Sequence, residues 1–250
     1  MTSIESSIKE TIQRILISSG EPLSTSDLVV DLIYDYIRMN ANEIRSQLST
    51  RLPELRDLLI ICRNQPFRLI RIVKYYRTMC NSSFFKTIGL TVNINEQFSN
   101  WLRLHKLFNQ LSIPSPNNVN FWQTFNSCLN QMYCKLNKGR LLRLSRIDSK
   151  LANESIDEFL SFNRLRQSAS FINLTRSRNY QKFLYWFHDC LILLAYLLNG
   201  DVLDIIDMVL FNRQKLHINL SSPITPIEIK QVLCIFTNVL YPRKSTLLSL

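Results

Sequence analysis

Glycine is almost missing from this chain, with four in 250 residues against an average usage of about 7%. That shortage excludes glycine-rich phosphate loops and argues against β architectures built on many tight turns. Histidine is scarcer still: His105, His188 and His217 are too dispersed to make a metal site with the cysteines. The six cysteines include no CxxC pair, and most lie in apolar runs, where a reduced thiol behaves as a small hydrophobe. No Walker loop, GxGxxG or HExxH occurs. His188 and Cys190 stand two apart on an expected helix, so they point away from each other and make no nucleophile–base pair. Asp201, Asp204 and Asp207 follow Gly200 and read as acids complementing the positive start of a helix rather than as metal ligands. No catalytic residue, metal or cofactor is expected, and the chain reads as a non-enzyme.

Long apolar runs are lacking too. The best candidate, 183-FLYWFHDCLILLAYLL-198, holds His188 and Asp189 and falls short of the ~20 residues a bilayer span needs. It reads as a buried core helix, and a membrane partner is not expected. The opening MTSIESSIKETIQR has early acids and no apolar signal core, which favours an intracellular protein with reduced thiols. A nuclear location is preferred.

What the chain does have is positive charge: +11 formally, with a pI near 9.6. Such a balance attracts polyanions. It is also concentrated. From Arg45 to Arg77 eight basic residues face Glu54 and Asp57, and between 135 and 182 eleven basic residues face four acids.

Helix starts are legible because a polar residue recurs three positions before an acid: Thr2 with Glu5, Ser24 with Asp27, Asn40 with Glu43, Asn93 with Glu96, Ser155 with Glu158 and Thr225 with Glu228. Behind Thr2, Ile4, Ile8, Ile12, Ile15 and Leu16 form one apolar face, ended by Gly20. Further helices are expected behind Ser24 and Asn40, around 101–111, and over 121–136, 139–151, 155–167, 178–198, 201–214 and 226–240. A strand-like piece, 216-LHINL-220, interrupts them. The stretch 50-TRLPELRDLLIICRNQPFRLIRIVKYYR-77 admits two readings. Its apolar runs suit two strands around Arg63-Asn64-Gln65-Pro66, while Leu55, Leu58, Leu59 and Cys62 also fall at helical spacing, with Glu54 and Asp57 suiting a helix start. The hairpin is the reading adopted.

On that reading, 12-IQRILISSGEPLSTSDLVVDLI-33 resembles the opening of a winged-helix domain. The segment 41–58 resembles that family's third, recognition helix, and 59–73 its two-stranded wing. The resemblance is one of pattern and covers about a third of the chain. It implies a winged-helix-like domain over 1–80 (three helices plus a β-hairpin); with the helical pattern of the rest, the chain reads as mainly α, with a connector carrying one helix over 81–120 and a helical domain over 121–250. It further implies nucleic-acid contacts by Asn42, Arg45, Ser46 and Ser49 on the recognition helix and by Arg63 and Arg68 on the wing, with Arg71 and Lys74 beside them. Arginine forks to guanine or clamps phosphate, so the residue types suit. A second surface is expected on 135-KLNKGRLLRLSRIDSK-150, where Arg143, Arg146 and Lys150 share a helical face. The expected function is a non-enzymatic nucleic-acid-associated protein, DNA favoured over RNA, working with other subunits in a nuclear or genome-associated complex. The alternative is a helical adaptor subunit that uses the winged helix to dock proteins.

Overall fold

The computed structural model of the protein describes residues 4–47, 54–79, 94–114, 121, 127–152, 154–176 and 188–237. Among these the chain is mainly helical, with no strand. The elements are α1 (Ile4–Ser18), α2 (Asp27–Ser46), α3 (Leu55–Cys62), α4 (Pro66–Met79), α5 (Ile94–Gln110), α6 (Ser127–Leu151), α7 (Ile156–Ser168), a 3-10 segment (Phe171–Arg176), α8 (His188–Lys215) and α9 (Pro226–Ile235).

Helix α1 forms because its apolar residues recur at one face: Ile8, Ile12, Ile15 and Leu16 are all buried. Burying each stabilises by roughly 1.5–3 kcal/mol, which outweighs the marginal stability of an isolated helix of this length. The chain turns at Gly20, whose φ of +93° only glycine adopts without strain. Two expected capping boxes are present: Ser155 with Glu158 opens α7, and Thr225 with Glu228 opens α9, where Pro226 takes the first helical position.

Four expectations are corrected. The hairpin over 59–73 is two helices. Glu54 donates its N–H to Asp57 Oδ2 at 2.9 Å to open α3, and Pro66 begins α4, a position where its missing N–H costs nothing. The winged-helix layout of the first eighty residues therefore lacks its wing. Asn40 starts no third helix: Ile33, Tyr36, Ile37, Asn40, Ala41 and Ile44 are buried on one unbroken face of α2, so the periodicity carries the helix through the polar residue. Gly139 and Gly200 do not separate helices but lie inside α6 and α8. Finally, 216-LHINL-220 is a turn rather than a strand, with His217 at φ 57° and Ile218 N–H bonded to Arg213 C=O at 2.9 Å. Of the other expected starts, Thr2 and Asn93 lie outside the described residues.

Helix α8 is the centre of the packing. It packs most extensively on α6 and also meets the 3-10 segment, α9, α4, α1 and α2. Leu193, Leu194, Leu197, Val202, Ile205, Ile206, Val209 and Leu210 bury faces all round it, which is the pattern of a helix enclosed by others. No helix among the described residues is long and apolar enough to cross a membrane. The core that surrounds α8 runs continuously from Ile8 through Leu58 and Leu136 to Phe236.

Candidate nucleic-acid interface

Helix α8 carries its acids at the centre of this packing. Asp201, Asp204 and Asp207 are all buried, and burying a carboxylate costs several kcal/mol unless a cation meets it. Arginines from two neighbouring helices do so. From α4, Arg68 Nη2 reaches Asp201 Oδ2 at 2.7 Å and Arg71 Nη1 reaches Asp201 Oδ1 at 2.9 Å. Arg71 also pairs with Asp204 and donates to Gly200 C=O at 2.8 Å. From α6, Arg143 Nε reaches Asp207 Oδ1 at 2.6 Å. The acids therefore form a ladder at spacing i, i+3, i+6 that fastens α4 and α6 to α8. Their place in mid-helix excludes the helix-start reading of these acids. Among the described residues no group of His, Cys, Asp and Glu is arranged to hold a metal.

Two more buried arginines hold the far end. Arg146 pairs with Glu21, which is fully buried in the α1–α2 turn and also accepts Ile224 N–H at 2.9 Å. Arg146 donates as well to Ser222 C=O at 3.1 Å. Arg213, at the end of α8, reaches Glu228 Oε1 at 2.6 Å, Ser222 C=O at 2.6 Å and Pro223 C=O at 2.6 Å. It thus organises the turn into α9.

Burial pushes Asp204 up from its ordinary 3.8 to about 6; Arg71 opposes the shift, while Asp201 and Asp207 add to it. Asp207 is raised by burial as well, with Arg143 opposing. Between pH of about 4 and 6 the folded chain therefore holds the Asp204 proton that the unfolded chain has released. Stability from this group falls as pH rises through that window and is level above it. We expect the stability difference between wild type and Asp204→Asn to shrink in the wild type's disfavour from pH 4 to 6 and then to hold constant. Urea midpoints at each pH measure it, and the subtraction removes the opposite contributions of Glu158 and Glu228, whose values are lowered.

Above the ladder lies a cleft of about 340 Å³. Three helical stripes line it: Phe67, Ile70, Arg71 and Lys74 of α4; Tyr133, Leu136, Asn137, Arg140, Arg143 and Leu144 of α6; Tyr196, Asn199, Gly200, Leu203, Asp204 and Asp207 of α8. Arg166 of α7 completes the rim. Five cations thus face two carboxylates, a formal excess of three. Arg71 and Arg143 are held by the ladder, whereas Lys74, Arg140 and Arg166 have no ion-pair partner among the described residues. Desolvation, followed by Arg140 and Arg71, lowers the pKa of Lys74, and Asp204 opposes the shift. Phe67 lies 6.1 Å from Tyr133, and Tyr75 lies 5.3 Å from Tyr196, ring centre to ring centre, which holds the two wall tyrosines in place.

The eleven residues singled out from the sequence fall into four groups. Arg71, Lys74 and Arg143 come together at the cleft. Arg68 and Arg146 are buried at 2% and 7% exposure. Because 66–79 is helical, Arg68 turns inward to Asp201 instead of lying on an outward wing, and Arg146 faces Glu21 instead of solvent. Asn42, Ser46 and Arg63 are exposed and separate from the cleft, and Lys150 lies with its ammonium 5.7 Å from the Phe162 ring centre. Ser49 and the Arg45 side chain lie outside the described residues. Arg140, Arg166, Tyr133 and Tyr196 are cleft residues that sequence reasoning did not select. The signal for the first was present: Tyr133, Leu136, Asn137, Arg140 and Leu144 share helical spacing, a stripe mixing aromatic, apolar and basic residues.

The chain matches no protein-family model, and it has no significant match to a curated protein or to a solved structure.

Proposed function

We propose that the chain is a non-enzymatic nucleic-acid-associated protein, DNA favoured, whose contact surface is the cleft between α4, α6 and α8. The observation that carries this reading is the convergence of Lys74, Arg140 and Arg166 on one concave site, without ion-pair partners among the described residues, above arginines fixed by buried aspartates. Cations held close together repel one another, and a phosphate backbone relieves that repulsion while releasing its own counterions. The ladder supplies rigidity: it fixes the helices that present the free cations, so little order has to be gained on binding.

The experiment is fluorescence anisotropy of labelled DNA across a salt series. Wild type is expected to bind with a steep log–log salt slope. Lys74→Ala with Arg140→Ala is expected to reduce that slope by about 1.4–1.8, or 0.7–0.9 per lost phosphate contact. Unchanged affinity in the double variant would remove the cleft from the proposal.

A second reading, a helical adaptor subunit, is favoured by one feature. Ile156, Phe159 and Leu160 of α7 are 80%, 43% and 46% exposed and share one helical face at i, i+3, i+4. An apolar stripe of this kind suits a protein partner. The two readings use different faces and are compatible in one molecule.

A further inference from the structure

We propose that the cleft seats a single strand, with one unstacked base against Tyr133 and Tyr196 and its phosphate on Lys74 and Arg140, rather than a duplex. The inference rests on the nucleic-acid reading above and names its ligand. Two observations carry it.

The first is size. About 340 Å³ is the lower range of pockets that enclose a small ligand and admits roughly one nucleotide. A duplex whose major groove alone is about 12 Å wide has to remain outside and touch only the rim. The second is composition. Tyr133 from α6 and Tyr196 from α8 are half-buried and line a site in which Lys74, Arg140 and Arg166 have no ion-pair partner among the described residues. Stacking faces interleaved with backbone-tracking cations are what single-strand sites combine.

The test uses the full chain and three labelled probes: an oligothymidylate of about 16 nucleotides, a duplex of the same length, and an abasic strand carrying the same phosphates without bases. The strand is expected to bind about tenfold more tightly than the duplex, and the abasic strand about tenfold more weakly than the oligothymidylate, as loss of one stacked base implies. Tyr133→Leu, with helicity checked, is expected to weaken oligothymidylate binding and leave abasic binding unchanged. A purely structural role for that ring would lower both alike. If the duplex or the abasic strand binds as well as the oligothymidylate, the single-strand inference is overturned. The nucleic-acid reading then survives only if Lys74→Ala with Arg140→Ala still weakens binding. If no probe binds at low salt, both fall together.

Discussion

Asp201→Ala is expected to lower the unfolding free energy by about 3–5 kcal/mol, a large part of the roughly 5–15 kcal/mol that a folded domain possesses. Asp201 is fully buried and accepts from both Arg68 and Arg71. Its removal takes this carboxylate from the Arg68 guanidinium, which is 2% exposed, and the loss of one partner from a buried ion pair costs far more than the pair itself contributes. A control follows from the same physics. Arg68→Met combined with Asp201→Leu removes both charges, keeps the volume and is expected to cost much less than Asp201→Ala alone. The exposed Arg14–Glu10 pair at 2.5 Å gives the contrast, since Glu10→Ala is expected to change stability by under about 1 kcal/mol. Urea unfolding followed by circular dichroism measures all three.

Gly139→Ala is expected to destabilise by roughly 3 kcal/mol, against the usual direction for such a change. In the interior of an exposed helix, alanine in place of glycine gains about 1 kcal/mol. Here a Cβ would stand 1.9 Å from the Asp207 carbonyl oxygen of α8. The obstacle is backbone rather than the end of a flexible side chain, so the helices have to move apart, and the ion pair between Asp207 and Arg143, one turn after Gly139, moves with them. A stabilised Gly139→Ala variant would show that α6 and α8 do not cross at this point. Loss of both stability and DNA binding would link the helix crossing to the shape of the cleft.

The same glycine shows where the sequence was legible and where it was not. Helix content, the Gly20 turn and the Ser155 and Thr225 caps follow from local chemistry, because each depends on residues within one or two turns. Gly139 and Gly200 stand at or beside the helix starts that local chemistry places at 139 and 201. Their actual cause is distant in sequence: the Asp207 backbone touches one, and the Arg71 side chain lies where a Cβ of the other would be. With both glycines reassigned to close approaches, α6 and α8 become the long helices on which the fold is built.

The basic runs divide on similar grounds. Charge density along the chain marked the α4 and α6 segments but not which arginines face inward, because that depends on whether 66–79 is strand or helix. In a strand Arg68 alternates outward. In a helix Arg68 and Arg71 share a face and meet the acids of α8, while Lys74 continues to the open rim. Asp201, Asp204 and Asp207 carried the missing information. Three acids at i, i+3, i+6 in an apolar helix require three cations, and the arginines of α4 and α6 supply them.

The division of arginines into a buried, paired set and a cleft-facing set is therefore the claim on which the rest depends. It is tested most directly by phenylglyoxal modification of the folded chain, with each arginine followed by mass spectrometry. Arg140 and Arg166 are expected to react fast and to be shielded by a bound single strand. Arg68, Arg146 and Arg213 are expected to stay unmodified until the chain unfolds. Reaction of Arg68 or Arg146 at the rate of Arg140 would contradict the account, because those guanidiniums would then be at the surface and the ladder that shapes the cleft would not exist.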